Sequence, residues 1–291
     1  MNLISKAILL CFVLSACEKT VENKNRTKEL KSNDQVLKQV AHNAKENNLN
    51  SLFSIDHSRL AAKDGEIFDA SKVAIYSNPI VNSQLLEENI RIGLDLPYRV
   101  QSYYHKGELK VVYTDSHFLK KRHDLGDLPA LSALDADLKH LVSGVSQATP
   151  ISSKNLTHNY GIVELTSSLD FESTINSLKK DILAEGDTVW FYTLDYQKEA
   201  LEYGIKLPPA TLLVFGGPAP GAKAMRDYPS LGLDAFGQKV LVYSEHKNSN
   251  NIKVIYNKIS DLAKLHYNDS SLPHKIIEFR LKSTLSGAIE E

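Results

Sequence analysis

Asp56-His57 is the pair in this chain best suited to acid–base chemistry. A histidine with a carboxylate at hand can act as a general base or hold an anion. Chain neighbours need not face one another, however, and Asp56 is equally placed to cap a helix starting near Ser58. His123 and His266 fall near helix ends, where an imidazolium gains about 0.3–1 kcal/mol from the helix dipole. Asp95 and Asp234 share a Gly-Leu-Asp setting, in which a carboxylate either fixes a turn through backbone N–H groups or lines a groove. Together with Asn78, these residues are the candidates for a ligand or groove role; none is assigned as catalytic. No metal site is expected: His117 and His123 are six residues apart, off the i, i+4 spacing of one helical face, and no thiol or acidic cluster joins them. "GGPAPG", residues 216–221, reads as a structural turn, because Pro218 and Pro220 remove two backbone donors that a phosphate loop needs. No cofactor is implied.

The start of the chain carries a different kind of chemistry. Lys6, the apolar run "AILLCFVL" (7–14) and Leu14-Ser15-Ala16-Cys17 fall in the order of a bacterial lipoprotein signal, with Cys17 as the lipidated residue. The apolar run is too short for a mature membrane span. Of the two cysteines, Cys11 leaves with the signal and Cys17 carries lipid, so thiol redox chemistry and cysteine nucleophiles are not expected. Residues 18–32, "EKTVENKNRTKELKS", are almost entirely polar and read as a flexible tether over 17–32. Glu18 is not the aspartate that retains lipoproteins in the inner membrane, which favours the outer membrane. The formal net charge of −1, or −2 without Lys6, draws neither nucleic acid nor an anionic surface.

The elements that must position the candidates come as a repeat. Gly93-Leu94-Asp95 and Gly232-Leu233-Asp234 are 139 residues apart, and at that offset "KVAIY" (72–76) falls on "TLLVF" (211–215), both strand-like. Val100–Tyr104 falls on Lys239–Tyr243, and Asp195 on His57 at an offset of 138. "KVVY" (110–113) meets "KVIY" (253–256) after four extra residues in the turn 246–251, and His123 then meets His266. Phe171, Ile175, Leu178 and Ile182 mark one helical face, capped by Asp170; the counterparts are Asn33, Leu37, Val40 and Ala44, and Asn33 implies a later helix start. The first copy adds a helix over 130–145. The reading is α+β: two tandem two-layer α/β sandwiches, each an antiparallel or mixed sheet with helices on one face, over 33–145 and 159–291, joined by a linker at 146–158. An intramolecular pseudo-dimer follows from the duplication.

"SIDHSRLAAKDGEIFDASKVAIYSNP", "GLDLP" and "VVYTDSHFLKKRH" resemble the domain of unknown function 302 family. The first copy keeps Asp56-His57, Asn78-Pro79, Gly93 to Pro97 and Arg122-His123, with Ser77 in place of the usual glycine. The second keeps Pro218, Gly232 to Asp234 and His266, and departs at Gly217, Ala235 and Phe236. The resemblance implies a small two-layer α/β fold, similar in outline to half of a TATA-binding protein, and no established activity. The expectation is a non-enzymatic, envelope-anchored protein that binds a small molecule or protein on the periplasmic side. The alternative is a hydrolase- or isomerase-like enzyme using His57 with Asp56 or Asp95.

Overall fold

The structure, a computed structural model, describes residues 3–246 and 251–290, with side chains from residue 24 onward. Cys17, and with it the lipid expectation, lies outside the described side chains. The first unit runs α1 (Leu3–Glu46), β1 (Asn50–Asp56), α2 (His57–Lys63), β2 (Ser71–Ser77), α3 (Pro79–Glu88), a 3₁₀ corner (Ile90–Leu94), β3 (Tyr98–His105), β4 (Glu108–Tyr113), α4 (Ser116–His123), α5 (Pro129–Leu141) and β5 (Ala148–Pro150). The second runs β6 (Ile162–Ser167), α6 (Phe171–Ala184), β7 (Val189–Asp195), α7 (Tyr196–Leu201), β8 (Ala210–Gly216), α8 (Pro218–Met225), a 3₁₀ corner (Pro229–Leu233), β9 (Gln238–Ser244), β10 (Ile252–Asn257), α9 (Ile259–Tyr267) and α10 (Leu272–Ile289).

Each unit is a five-stranded sheet, ordered β1-β2-β3-β4-β5 in one and β6-β10-β9-β8-β7 in the other. The first is mixed, because β5 joins β4 in parallel; the second is antiparallel throughout. The strands alternate with period two. Leu213, Phe215, Val240, Val242, Val254 and Tyr256 form an outer core with α6 and α10, while Leu212, Val214, Leu241 and Ile255 join the core shared with the first unit. The inner faces of the two sheets therefore look at each other, and helices cover the outer faces.

Four expectations are corrected. Residues 24–32 are not a loose tether but part of α1: Leu30 is half-buried and the Arg26 guanidinium donates to the Ser58 carbonyl at 3.4 Å. Once a helix is nucleated, each further residue costs little, and these are mostly adequate helix formers. Asn33 does not delay the helix; it is buried and exchanges two hydrogen bonds with Ser102, at 3.1 Å to its carbonyl and 2.8 Å from its hydroxyl. The linker 146–158 supplies β5 and buries Ile151 and Leu156, because the β4 edge needs a partner. Finally, the helix at 130–145 is no extra of the first copy: α10 occupies the same place in the order, after the α4 and α9 positions.

The register also moves. Ile75 pairs with Arg99 and Val214 with Lys239, so beyond the corners the offset is 140. The second corner carries one more residue, and Arg99, rather than Val100, is the counterpart of Lys239.

Candidate functional site

The two Gly-Leu-Asp corners are where the units meet. The corner at Ile90–Leu94 packs on β8, β9 and β10, and the corner at Pro229–Leu233 on β2, β3 and β4. Glycine lets each corner approach the other unit closely. A Cβ on Gly232 would stand 2.3 Å from Gln101 Nε2, and one on Gly93 3.0 Å from Tyr196 Cε2 and 3.1 Å from Leu241 Cδ1. Gln101 and Leu241 are equivalent at the corrected offset, and so are His57 and Tyr196, each the first residue of a short helix. Tyr196 Oη donates to the Gly93 carbonyl at 2.8 Å, and His57 Nε2 bonds the Gly232 carbonyl at 3.1 Å. His57 is thus matched by Tyr196, not by Asp195, and its partner is a backbone carbonyl of the other unit.

Asp56 does not serve His57. Its carboxylate accepts from the Arg59 amide at 2.9 Å as the cap of α2 and pairs with the Arg59 guanidinium. Burial holds the His57 imidazole down to about 4, so the ring is neutral at pH 7 and Nε2–H is the donor to Gly232. The pairing of His57 with a carboxylate required by the enzyme alternative is absent. His57 does border a narrow cleft of about 20 Å³ with Ile55 and Leu60 on one side and Pro218, Met225 and Phe236 on the other.

The carboxylate–histidine pair lies elsewhere. Asp95 receives Arg122 Nη1 at 2.7 Å on one oxygen and His123 Nε2 at 2.7 Å on the other, with all three side chains fully buried. Arg122 also donates from Nη2 to Asn257 Oδ1 at 2.8 Å and from Nε to the Tyr160 carbonyl at 3.1 Å, both in or beside the second unit. Across the axis, Arg99 Nη2 and Lys239 Nζ approach the same Asp234 oxygen at 2.7 and 3.3 Å. Arg99 further donates to the Asp95 carbonyl and, at 3.2 Å, to Thr114 Oγ1. Asp95 pairs within its own unit and Asp234 also with Arg99 of the other, so both are ion-pair centres at the unit interface rather than turn-fixing carboxylates.

The electrostatics follow from burial and these partners. Burial alone raises the Asp95 carboxyl, but Arg122, His123 and Lys239 outweigh it and hold the acid well below the carboxylate range. Asp234 is likewise lowered against the cost of its burial, by Arg99 and Lys239. Burial and the nearby Arg99 bring the Lys239 ammonium down to about 8. Burial lowers His123, and lowers His266 to about 4, so neither is the dipole-stabilised imidazolium the sequence suggested. Arg99 Nε, His123 Nδ1, His266 Nδ1 and Asp234 Oδ2 are buried without a hydrogen-bond partner.

Asp95, His123, Asp234 and His266 thus converge at the unit interface, with His57 beside it. Asn78 does not; it caps α3 at Val81 and donates to Asp137 at 2.8 Å. The reading from sequence missed Arg99, Arg122 and Lys239 as members. A cation inside an apolar strand, as in "YRVQSYY" and "QKVLVYS", was the available signal. A further cavity of about 20 Å³ lies between the sheets, lined by Arg99 and Lys239 with Phe53, Ile75, Leu212 and Val214. Phe53 stacks on its counterpart Tyr192 at a centroid distance of 4.8 Å, which puts this cavity beside the pseudo-twofold axis.

These features define a duplicated α+β protein whose two sheets enclose a buried charge cluster. The chain belongs to the family described as domain of unknown function DUF302, whose model matches residues 24–143 and again 163–291. It is 29% identical over 131 residues to the fluoride-specific ion channel FluC 1 of Brucella suis biovar 1 (strain 1330), a match covering 45% of this chain and 47% of that protein. The fluoride-specific ion channel FluC 2 of Brucella melitensis biotype 1 is also 29% identical over 131 residues, 45% of this chain and 44% of its own length. The chain thus spans about half the length of these relatives. A crystal structure of an uncharacterized conserved DUF302 protein from Bacillus stearothermophilus aligns with 43% of this chain and 96% of that one, at 21% identity and a TM-score of 0.38. Among the described residues no helix is long and apolar enough to cross a membrane.

Proposed function

We propose that this chain is an envelope protein anchored through lipid on Cys17, that it works by binding rather than catalysis, and that its ligand is a small monoanion held between the units. One observation carries the choice of ligand. Among the described residues, the buried Lys, Arg, Asp and Glu side chains are Asp95, Arg99, Arg122, Asp234 and Lys239, and all belong to one cluster. Three cations face two carboxylates, and an uncompensated buried charge is costly. Two of the cations, Arg99 and Lys239, line the axial cavity, whose volume of about 20 Å³ suits a species the size of one water. The Asp95 and His123 side chains are fully buried and bonded to each other, which supports a structural role for the pair and so binding over catalysis.

The anchor rests on Lys6, the apolar run and the Leu-Ser-Ala-Cys order ending at Cys17. Fluoride, chloride and formate are the probes, fluoride first because the Brucella relatives are named as fluoride-specific channels. At constant ionic strength, the thermal midpoint of the full chain should rise with the bound anion. Lys239→Met, which removes the surplus charge and keeps the apolar stem, should abolish the rise. With Lys239 titrating near 8, the rise should also fade as pH passes above that value. An equal rise in both proteins, or none in either, would exclude the anion site.

A further inference from the structure

The last helix carries apolar side chains on two opposite faces. Ile277, Leu281, Leu285 and Ala288 of α10 are buried against the second unit. On the other side Leu272, Ile276 and Phe279 follow at i, i+4 and i+7, and they are 68%, 52% and 75% exposed. The fold does not require this row. α5, which holds the same place in the first unit, turns Ser132, Asp135, Ala136 and Lys139 to solvent. Single exposed apolar residues are ordinary, but three in register on one helix make a contiguous patch that marks an interaction surface.

The charges beside the row indicate what covers it. Lys275 and Lys282 are exposed along one side. On the other side Arg280 is engaged by Glu185 and Asp187, and Glu278 is held by Ser260 Oγ of α9 at 2.6 Å. The border is therefore cationic. It continues onto α8, where Lys223 and Arg226 share Glu66 at 3.2 Å each, and α8 is tied to α10 by His274 Nε2 on the Ala224 carbonyl at 2.8 Å. α2 packs on α8 in turn, and Arg26 joins it to the start of α1, where Lys24, Lys28 and Lys31 are exposed. The overall charge of −1 gives no long-range pull, but exposed charges act within about 8 Å at physiological salt, so the local cations decide. A second copy is a poor cover, since three side chains fall far short of the roughly 20–30 residues a side of a stable interface. Nor does α10 span a bilayer: among the described residues no helix is long and apolar enough. We infer that α10 docks on an anionic lipid surface, with Leu272, Ile276 and Phe279 at the acyl-chain boundary and Lys275 and Lys282 against the phosphates, in the manner of an interfacial amphipathic helix. This face needs no lipid on Cys17, so the inference goes beyond the anchor proposed above and stands apart from the anion cavity.

The test uses the full chain with Cys17→Ser, which excludes a lipid anchor, and vesicles of phosphatidylethanolamine with phosphatidylglycerol, or of phosphatidylcholine alone. Phe279→Trp places an indole in the row, and bromine on the acyl chains quenches it only at close range. The same chain without Phe279→Trp, whose one indole is Trp190, supplies the baseline. A blue shift and quenching beyond that baseline are expected on the phosphatidylglycerol vesicles, and little on phosphatidylcholine. Lys275→Gln with Lys282→Gln should weaken docking by about tenfold or more. Leu272→Ser with Ile276→Ser should abolish the quenching without lowering the thermal midpoint, because both side chains are exposed. Quenching no greater than the baseline, or equal on the two vesicle types, overturns the inference. So does a blue shift that grows with protein concentration in the absence of vesicles, which would make a second copy the cover. Should Leu272→Ser with Ile276→Ser fail to fold, unchanged docking in the double lysine variant does the same. Whether Cys17 carries lipid changes none of these outcomes.

Discussion

His57 shows how a residue suited to chemistry can be committed to structure. Its ring is buried, neutral and bonded to the Gly232 carbonyl of the other unit, where Tyr196 makes the mirror contact to Gly93. Protonating it requires placing a charge in an apolar setting, which is why its acidity is shifted to about 4 from the ordinary 6.5. The unfolded chain therefore takes up a proton between these values that the folded one refuses. Stability from this residue is complete above pH 6.5 and declines as pH falls toward 4, by roughly 3 kcal/mol in all. His57→Gln, which keeps a donor for Gly232, should make that limb of the stability–pH curve less steep, leaving the share of His266, when measured by urea unfolding at pH 4 to 7. An unaltered slope would place the titration elsewhere. The sequence marked His57 as the chemical residue, yet its partner is 175 positions away, and no local pattern announces a carbonyl.

At the level of elements, the periodic segments were legible and the polar ones were not. The helix over 170–185 appears as α6 (Phe171–Ala184), capped by Asp170 Oδ1 on the Ser173 amide at 2.8 Å. Its hydrophobic stripe, cap and terminating glycine agree, and such agreement reads clearly from sequence. The stretch 24–32 lacks a stripe because little of it is buried, so composition suggested a tether where a helix propagates. Asn33 looked like a flaw in the stripe for the same reason. In the fold it joins α1 to β3 through the hydrogen bonds with Ser102. Asn33→Ala leaves the buried Ser102 hydroxyl and carbonyl short of partners and should cost about 1–3 kcal/mol in urea denaturation, with the m-value unchanged. A loss below a few tenths would show that α1 is held by its apolar face alone.

Over the whole molecule, duplication produces two sheets that need each other. Val73 and Ile75 face Leu212 and Val214 across the axis, and Arg99 of one unit reaches Asp234 of the other. Residues 24–158 or 159–290 alone would expose that apolar face and strand buried charges. Each half should therefore self-associate or lack a cooperative thermal transition, and mixing the halves should restore a 1:1 complex with the transition of the intact chain, seen by light scattering and calorimetry. Monomeric halves that melt sharply and ignore each other would show the contact to be incidental.

Sequence alone determined the fold class, the duplication and the place of nearly every strand, because period-two and period-3.6 burial are written into consecutive residues. It also marked Gly93-Leu94-Asp95 and Gly232-Leu233-Asp234 as equivalent corners. Only the tertiary structure decided what those corners do. Their glycines admit the opposite sheet, and their aspartates collect Lys239 from the adjoining strand, Arg122 and His123 from α4, and Arg99 from the other unit. Those charges are meaningful only once buried together, since burial raises the cost of an unpaired ion and so fixes which groups must meet.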